Sequence, residues 1–280
     1  MTRDIAETTG TTIEERWVVD HTIARGPMSL VLGVWDRVLR REVALKLGLP
    51  TSKARTRMRR ESRLLAGLQS PFVVRSFESS SLSDGTPYLL MERLRGHDLH
   101  ARLRLYGAFS VLDTAAALLS ILDALEELHA MGVMHRDIKA SNVFRCDDGV
   151  YKLLDFGSAK GAQDPSITGQ NVIGTLAYLS PEQIMGRSSD RRGDLWAVGV
   201  LGFRLLTGAL PFGGKDLLET AHKIVNEAPP ALGDLLPHAP PPFVWAIERC
   251  LSKSPEGRWL TAAELADALR VATRGMQRAG

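Results

Sequence analysis

The chain has 280 residues, of which 44% are hydrophobic, 24% charged and 6% aromatic. This composition excludes intrinsic disorder, collagen-like repeats and disulfide-rich miniature scaffolds. At about 150 residues per domain, the length corresponds to two units or to one large one. Lysine and arginine number 35 against 32 aspartate and glutamate residues, so the formal net charge is +3. An excess this small is typical of an ordinary solvated surface, and we expect no nucleic-acid partner.

Neither the cysteine content nor the hydropathy indicates a secreted or membrane protein. The two cysteines, Cys146 and Cys250, are too few for a disulfide framework and favour a reducing compartment. The best apolar stretch, Leu195–Phe203, ends at Arg204, far short of the ~20 residues that span a bilayer. Residues 1–15 lack the apolar core of a secretory signal. We therefore expect a soluble, cytoplasmic protein without a membrane segment in this chain.

The first third of the chain predicts a β-sheet interrupted by one helix. Three β-type runs, at 17–23, 29–35 and 41–47, are separated by glycine, proline and charged residues, as in an antiparallel meander. A broken apolar stripe then predicts a helix over 53–68. Two more strands are expected at 73–78 and 88–92.

The remainder of the chain is rich in helical patterns. Ser110 and Asp113 are typical of a helix N-terminus, and apolar residues at helical spacing extend that helix to about His129. The segment 194–207 is apolar nearly all round, which predicts a buried helix. Further helices are expected at 181–185, 215–226, 242–251 and 262–272.

The last of these helices begins with a capping-box pattern, Thr261 with Glu264. A strand-rich first part followed by a helix-rich remainder suggests two lobes. We expect the lobes to join near Glu92–Asp98.

The strongest chemical signal is the sequence HRDIKASN, His135–Asn142. An aspartate followed five residues later by an asparagine suits metal-dependent phosphoryl transfer. Asp137 can accept the proton of an attacking hydroxyl, and the amide oxygen of Asn142 can hold a cation. Lys139 can neutralise charge on the transferring phosphoryl group.

A second motif, Asp155-Phe156-Gly157, follows an apolar strand pattern. An aspartate at the end of such a strand is placed to chelate Mg²⁺ that bridges phosphates. The tripeptide alone is a weak signal, but its spacing after Asp137 makes it a strong one.

These motifs resemble the signature set of the eukaryotic-like, or Hanks-type, serine/threonine protein kinases, and the composition is typical of bacterial members. The resemblance implies an α+β, bilobal protein-kinase-like fold. The N-lobe would be a small antiparallel β-sheet with one main helix, and the C-lobe would be larger and helical. The implied organisation is a flexible lead-in at 1–15, a kinase domain at 16–272 with lobes at about 16–93 and 97–272, and a tail at 273–280.

The same resemblance implies further catalytic and structural positions. Lys46, in the run VALK, matches the strand lysine that holds the nucleotide phosphates, and Glu61 matches the helix glutamate that pairs with it. Glu182 lies in a box similar to the family's APE, and Arg258 matches its arginine partner. Asp194 would brace the catalytic loop through backbone N–H groups. The structural positions are His135, Arg136, Phe156, Gly157, Glu182, Asp194 and Arg258.

The nucleotide-binding positions follow from the same resemblance. Val31 and Ala44 would cover one face of adenine and Phe144 the other, although each could equally be core. Met91 matches the gatekeeper. The implied set, with the phosphate loop, adenine edge, ribose and metal contacts, is Ile23, Ala24, Gly26, Ser29, Val31, Ala44, Lys46, Met91, Glu92, Leu94, Asp98, Phe144, Asn142 and Asp155.

The phosphate loop departs from the family pattern. Of the three glycines in GxGxxGxV, only the middle one is present, as Gly26, while Ala24 and Ser29 replace the others. Both replacements carry a Cβ that resists positive φ, and Pro27 removes an N–H donor. Asp98, assigned to the ribose, could instead be a surface residue at a helix start.

The resemblance also implies serine and threonine rather than tyrosine as acceptors, because the tyrosine kinases of the family carry an arginine-containing variant of the loop that holds Lys139 here. Thr175 matches the threonine that bonds the catalytic aspartate and lysine in the family. Arg136 is typical of kinases that are switched on by phosphorylation of the activation loop. We therefore expect autophosphorylation, at Thr168 first and Ser166 second, through a transient homodimer. The basic run is read as a solvated helix face or as a dock for a phosphorylated loop; its members are Lys53, Arg55, Arg57, Arg59, Arg60 and Arg63.

The preferred function is transfer of the γ-phosphate of ATP, with Mg²⁺ or Mn²⁺, to Ser/Thr hydroxyls of protein substrates. The altered glycine loop motivates an alternative, a pseudokinase-like binding scaffold. A small-molecule phosphotransferase of related fold is a third reading. Thr175, the box at Glu182 and Arg258 speak against it, because in the family they build a platform for protein substrates.

Overall fold

The computed structural model describes residues 9–26, 29–49, 51–161 and 176–276. The chain divides into two units. The first contains the described residues up to Gln69 together with Val73–Arg95 and Phe156–Ser158. The second contains Ser70–Phe72, Gly96–Asp155 and the described residues from Ala159 onward.

The first unit contains a six-stranded antiparallel sheet, in the order β1-β2-β3-β4-β6-β5. One helix, α1 at Ser52–Gly67, stands between β4 and β5. The side chain of Thr51 caps this helix by accepting the N–H of Ala54 at 3.2 Å. The strands are β1 at Thr12–Ile13, β2 at Trp17–Arg25, β3 at Ser29–Asp36, β4 at Arg41–Gly48, β5 at Ser76–Ser81 and β6 at Pro87–Glu92.

The two faces of this sheet have different roles. One face buries an apolar cluster whose members alternate along the central strands, such as Leu30, Leu32 and Val34 on β3. Side chains alternate along a strand, and directly paired residues share a face. Because Val31 pairs with Lys46 and Gly33 pairs with Ala44, these four residues lie on the opposite face. We call it the Lys46 face.

In the second unit the helices surround a largely apolar core. The helix predicted over 194–207 spans Arg192–Thr207, and its residues are buried on nearly all sides, as the sequence indicated. Ser110 caps the long helix by accepting the N–H of Asp113 at 3.0 Å. The helices are α2 at Leu99–Tyr106, α3 at Val111–Ala130, α4 at Pro181–Ile184, α5 at Arg192–Thr207, α6 at Leu217–Asn226, α7 at Leu232–Leu235, α8 at Pro241–Cys250 and α9 at Ala262–Thr273.

Two short sheets in the second unit carry the chemical motifs. The first has the order β10-β9-β7, with β7 at Gly96–Asp98, β9 at Val143–Cys146 and β10 at Tyr151–Leu153. The second pairs β8 at Val133–Met134 with β11 at Lys160–Gly161. The HRDIKASN motif therefore lies between β8 and β9, and the DFG motif follows β10.

The sequence missed several elements and misplaced others. The strand expected at 73–78 is Ser76–Ser81, and the apolar strand expected just before Asp155 is β10. The sequence did not predict β1, β7 to β9, β11, α2 or α7. Strands of two to four residues are too short for a hydrophobic period to show. The capping box on α9 is only half as expected. Thr261 accepts the N–H of Glu264, but the Glu264 carboxylate takes the N–H of Leu260.

Both cysteines are buried, and neither forms a disulfide with the other. Burial raises the pKa of the Cys250 thiol to about 12. Within the described ranges, every helix is too short or too polar to cross a bilayer.

A buried ion pair ties α4 to the segment before α9. Arg258 is only 2% exposed, and its Nη1 and Nη2 each donate to one oxygen of Glu182 at 2.8 Å. The guanidinium also donates to the carbonyls of Ser252, Arg192 and Lys253. These bonds match the five donors of an arginine side chain.

The charge state of Glu182 follows from this geometry. Burial alone would raise the pKa of Glu182, but the hydrogen bonds and charge of Arg258 outweigh burial and hold that pKa below its ordinary value of 4.5. A carboxyl with a lowered pKa contributes stability that is present above its ordinary pKa. That contribution is lost as the pH falls through the lowered value.

We predict that Arg258→Ala lowers the free energy of unfolding by about 3–5 kcal/mol, because Glu182 is left as an uncompensated buried charge. Urea denaturation followed by circular dichroism measures the change. Arg270→Ala is the matched control, since Arg270 and Asp267 pair with 52% and 76% of their side chains exposed. It should cost less than about 1 kcal/mol. Equal losses in the two variants would contradict the prediction.

Candidate active site

The residues of the first unit that bear on the site begin with a lysine–glutamate pair. Lys46 on β4 donates to both carboxylate oxygens of Glu61 on α1, at 2.7 and 2.9 Å. Glu61 is 2% exposed and the Lys46 side chain 12%. Since a buried carboxylate is costly without a cation partner, this pair fixes α1 against the Lys46 face. The lysine ammonium is thereby held at a defined place on the sheet, where it can meet an anionic ligand.

The Phe156–Ser158 turn packs against α1 within the same unit. Phe156 is fully buried. A Cβ built on Gly157 would lie 2.5 Å from Nε of Arg57, so a side chain there would displace the Arg57 guanidinium. Nη2 of Arg57 also donates to Oγ of Ser158 at 3.4 Å. The absence of a side chain at Gly157 therefore leaves room for the Arg57 guanidinium in this position.

The residues of the first unit that are predicted to line the adenine pocket lie together on the Lys46 face. Val31 and Ala44 are on this face, and Met91 joins them because it pairs with Ala44. Ala24 pairs with Val31 and extends the same surface. These side chains are small or apolar, which suits a flat aromatic base.

The phosphate loop is described only in part. Gly26 donates its N–H to the carbonyl of Ser29 at 2.8 Å, which closes the turn between β2 and β3. Ile23 is 44% exposed. Pro27 and Met28 lie outside the described residues.

The segment after β6 carries the backbone groups predicted to bind the adenine edge. The N–H of Glu92 donates to the carbonyl of Arg75 at 2.9 Å. Its side chain accepts the N–H of Arg75 at 2.7 Å. If the backbone of Glu92 binds adenine, the atom that does so is therefore its carbonyl oxygen, as an acceptor. The corresponding donor would be the N–H of Leu94.

In the second unit, the HRDIKASN motif forms a hydrogen-bonded cluster around Asp137. Nζ of Lys139 donates to the two carboxylate oxygens of Asp137 at 2.7 and 2.9 Å. Nδ2 of Asn142 donates to Oδ2 and to the backbone carbonyl of Asp137, at 2.9 and 2.8 Å. Two polar side chains from one short loop, those of Lys139 and Asn142, thus converge on the Asp137 carboxylate. Such a carboxylate can orient a hydroxyl group and accept its proton.

The loop that carries Asp137 is anchored by Asp194 on α5. The Asp194 carboxylate accepts the backbone N–H groups of His135 and Arg136 at 2.9 and 2.8 Å. It also accepts Nε2–H of His129 at 2.9 Å. Burial alone would raise the pKa of Asp194, but the hydrogen bond and charge of His129 lead the groups that hold it below its usual value. The anchor is therefore an ionised carboxylate.

His135 beside this anchor is fully buried. Burial lowers the pKa of its imidazole below the ordinary value of 6.5, against the charges of Asp194, Asp137 and Asp155. The ring is therefore uncharged at neutral pH. It accepts the N–H of Asp137 on Nδ1 at 3.3 Å.

Two non-glycine residues of the motifs adopt left-handed backbone conformations. Arg136 has φ +64° and Asp155 has φ +56°. Such conformations cost about 1–3 kcal/mol and persist where surrounding bonds impose them. For Arg136, the bond that imposes this conformation is the one from its N–H to Asp194. For Asp155 the preceding residue, Leu154, donates its N–H to the carbonyl of Asn142 at 2.8 Å.

The donor set of this loop fits a hard divalent cation. The hydrogens of the Asn142 amide nitrogen are directed to Asp137, so its Oδ1 is the side-chain atom that can bind a cation. Asp155 is close in the fold, through the bond between Leu154 and Asn142, and supplies carboxylate oxygens. Amide and carboxylate oxygens are ligands that Mg²⁺ and similar ions prefer.

Phe144 and Asp98 are cross-strand partners in the sheet formed by β7, β9 and β10. Asp98 also caps α2 by accepting the N–H of Ala101 at 2.9 Å. Asp98 therefore stands at the start of a helix, as the alternative explanation from the sequence expected. Its ribose contact stays a prediction.

Some predicted residues lie outside the described part of the chain. They are Thr175, Thr168 and Ser166. In contrast, the sequence assigned no role to His129, which the structure places on Asp194 at a separation of 65 residues. Only a pattern linking two distant segments could have revealed that contact.

Comparison with models of protein families matches residues 17–268 to the protein kinase domain. The matched range contains both the Lys46–Glu61 pair and the loop around Asp137.

Curated proteins of similar sequence come from species of Corynebacterium and Mycobacterium, among others. A probable serine/threonine-protein kinase of Corynebacterium efficiens is 35% identical over 277 residues, covering 94% of this chain and 42% of that protein. The probable serine/threonine-protein kinase PknB of Corynebacterium glutamicum is 34% identical over 268 residues, covering 91% and 42%. Serine/threonine-protein kinase PknL of Mycobacterium tuberculosis is 34% identical over 256 residues, covering 89% and 64%. The chain thus spans less than two thirds of the length of each of these relatives.

We predict that Asp194→Asn loosens the loop that carries Asp137. An amide offers one acceptor oxygen where the carboxylate offers two, so a backbone N–H of His135 or Arg136 loses its partner, at a cost of about 1–3 kcal/mol. Amide hydrogen exchange at these two residues should become about tenfold or more faster. The matched control is Asp190→Asn, an exposed aspartate that pairs with Arg192 just before α5. Unchanged protection of both amides would contradict the prediction.

Proposed function

Because the chain belongs to the protein kinase domain family, we propose that it transfers the γ-phosphate of ATP to serine and threonine hydroxyls of proteins, itself included. The fold class predicted from the sequence, an α+β protein-kinase fold, is confirmed by the family match together with the antiparallel sheet and the helices. The observation that carries the proposal is the Asp137 carboxylate, held by Lys139 and Asn142 in one loop. The relatives carry the name serine/threonine-protein kinase, two of them as probable ones, and these names support the choice of acceptor.

In the proposed mechanism Asp137 orients the acceptor hydroxyl and takes its proton. The hydroxyl oxygen forms a bond to the γ-phosphorus, and the bond from that phosphorus to the bridging oxygen of ADP breaks. Lys139, which lies at hydrogen-bond distance from the Asp137 carboxylate, stabilises negative charge on the group in transit. Lys46, held by Glu61, binds the phosphates of the nucleotide. Catalysis of this kind depends mainly on positioning and electrostatic stabilisation.

Asn142 and Asp155 are the proposed ligands of a divalent cation, Mg²⁺ or Mn²⁺. When bound, the ion would neutralise charge on the phosphates. The role of the protein is to hold Oδ1 of Asn142 and the carboxylate of Asp155 in place. The hydrogen bond between Leu154 and Asn142 supports this arrangement.

A second candidate function is a pseudokinase-like scaffold that binds partners without phosphate transfer. It is favoured by one observation, the loss of two of the three loop glycines at Ala24 and Ser29. We prefer the active enzyme, because the polar residues required for transfer are all present in the sequence. The hydrogen bonds around Asp137 and between Lys46 and Glu61 also favour it.

The proposal includes the two lobes, at about 16–93 and 97–272. It also includes a cytoplasmic location, because two cysteines without a disulfide are compatible with a reducing environment. Thr175 is proposed to bond Asp137 and Lys139. Autophosphorylation would require a transient homodimer.

We predict that the protein incorporates labelled phosphate from Mg-ATP into a generic protein substrate, whereas Asp137→Asn reduces incorporation by about a hundredfold or more, because the proton acceptor is lost. Asp147→Asn, a change of the same chemistry outside the catalytic loop, serves as the control and should keep the native rate. Binding of ATP without transfer by the native protein would favour the scaffold.

We also predict that incubation with Mg-ATP adds phosphate between Asp155 and Glu182, at Thr168 first and Ser166 second. The physical reason is that Arg136, next to Asp137, can pair with a new phosphate. Mass spectrometry of tryptic peptides identifies the sites. Asp137→Asn protein, incubated under the same conditions, should gain no phosphate of its own, so any phosphate on it was added by the expression host. Absence of phosphate from this segment in the active protein would refute the assignment.

A further inference from the structure

The side chain of Arg93 lies across strand β3 in the first unit. Arg93 follows β6 directly and stands between Glu92 and Leu94, whose backbone groups are proposed to bind the adenine edge. A Cβ built on Gly33 would overlap Nη1 of Arg93 and lie 3.0 Å from its Cζ. The guanidinium therefore occupies the space above Gly33 that any side chain would fill.

Two residues of β2 hold this guanidinium. Nη2 of Arg93 lies 3.2 Å from Nε2 of His21, and Nη1 lies 3.5 Å from Oδ2 of Asp20. Nδ1 of His21 is in turn 2.7 Å from the same Asp20 oxygen. Because a carboxylate only accepts and a guanidinium only donates, His21 donates through Nδ1 and accepts through Nε2. Asp20 orients the ring, and the ring orients Arg93.

The burial of the three residues is uneven. The Arg93 side chain is 16% exposed, whereas His21 is 47% and Asp20 59% exposed. The partners thus stand at the surface, while the arginine is folded inward over the strand. An exposed ion pair alone contributes little stability. The fixed position of the guanidinium depends on the space above Gly33 as much as on charge.

The sheet register places this contact beside the residues proposed to cover the base. Gly33 pairs with Ala44 and lies two residues from Val31, so all three are on the Lys46 face. The Cβ direction of Gly33 points to Arg93. Hence the guanidinium lies on the Lys46 face as well.

We propose that Arg93 is a positioning residue for nucleotide binding, which ties the segment that carries Glu92 and Leu94 to strands β2 and β3. The inference rests on the proposed function, since that segment is assigned to the adenine edge. Sheet pairing of β6 ends at Glu92, so the ladder does not hold the next residues. The Arg93 side chain supplies a link there, and Gly33 is glycine because that link needs the room.

The test compares Arg93→Ala, Gly33→Ala and the double variant in the whole chain. Arg93→Ala should raise the KM for ATP about five- to tenfold while kcat stays within about twofold, as expected for loss of one hydrogen-bonded link that acts on binding. Gly33→Ala should have the same effect, because the new methyl group displaces the guanidinium. The double variant should be no worse than either single one, since both changes break the same contact.

Controls separate this role from general damage to the sheet. Arg95→Ala is the matched control, because Arg95 pairs with Glu42 at the surface, with 70% of its side chain exposed. It should leave the KM for ATP unchanged. Arg93→Lys keeps the charge but lacks the planar fork, so it should recover only part of the native affinity.

The Kd for Mg-ATP, measured by titration calorimetry, provides a readout that does not require phosphate transfer. If the native protein binds ATP and transfers no phosphate, the proposed function fails, and a weaker Kd in both single variants still supports the role of Arg93. Native affinity in Arg93→Ala, or a double variant that binds much more weakly than Arg93→Ala, would overturn the inference while transfer activity stands. Failure of the native protein to bind ATP would overturn both.

Discussion

The Asp194 carboxylate is the fixed point for the loop that carries the proposed chemistry. It is buried, which by itself favours the protonated form, and it stays ionised because His129 and two backbone N–H groups donate to it. Those bonds hold His135 and Arg136 and so maintain the left-handed conformation of Arg136. The next residue is Asp137. The direction of its carboxylate, and with it the placement of Lys139 and Asn142, depends on a helix residue more than fifty positions later in the chain.

Each unit also contains a buried carboxylate that is paired with a cationic side chain. Glu61 meets Lys46, and Glu182 meets Arg258. A buried ion pair adds little net stability, but removing one member leaves an uncompensated charge. These ion pairs therefore determine which residues lie together, and they contribute little to the net free energy of unfolding. Each pair joins elements that the chain order separates.

Much of this arrangement could be predicted from the sequence. The three β-type runs before α1 and the buried helix α5 carry strong periodic patterns, and both appear as expected. The residues of the HRDIKASN motif are neighbours in sequence, so their convergence on Asp137 follows from a single loop. In contrast, the role of Gly33 could not be predicted, because it depends on an arginine sixty positions later that folds back over the strand. The contact of His129 with Asp194 could not be predicted for the same reason, and β1, β7 to β9 and β11 were missed because they are only two to four residues long.

The burial of Cys146 and Cys250 has a practical consequence for studying motion in this protein. A thiol reacts as its thiolate and only where a reagent can reach it, and both cysteines are enclosed, with the pKa of Cys250 raised to about 12. A cysteine introduced at an exposed position, such as Arg59 on α1 or Arg104 on α2, would then be the thiol that a maleimide probe labels in the folded protein. Each unit can carry its own spectroscopic label while the native cysteines stay in place.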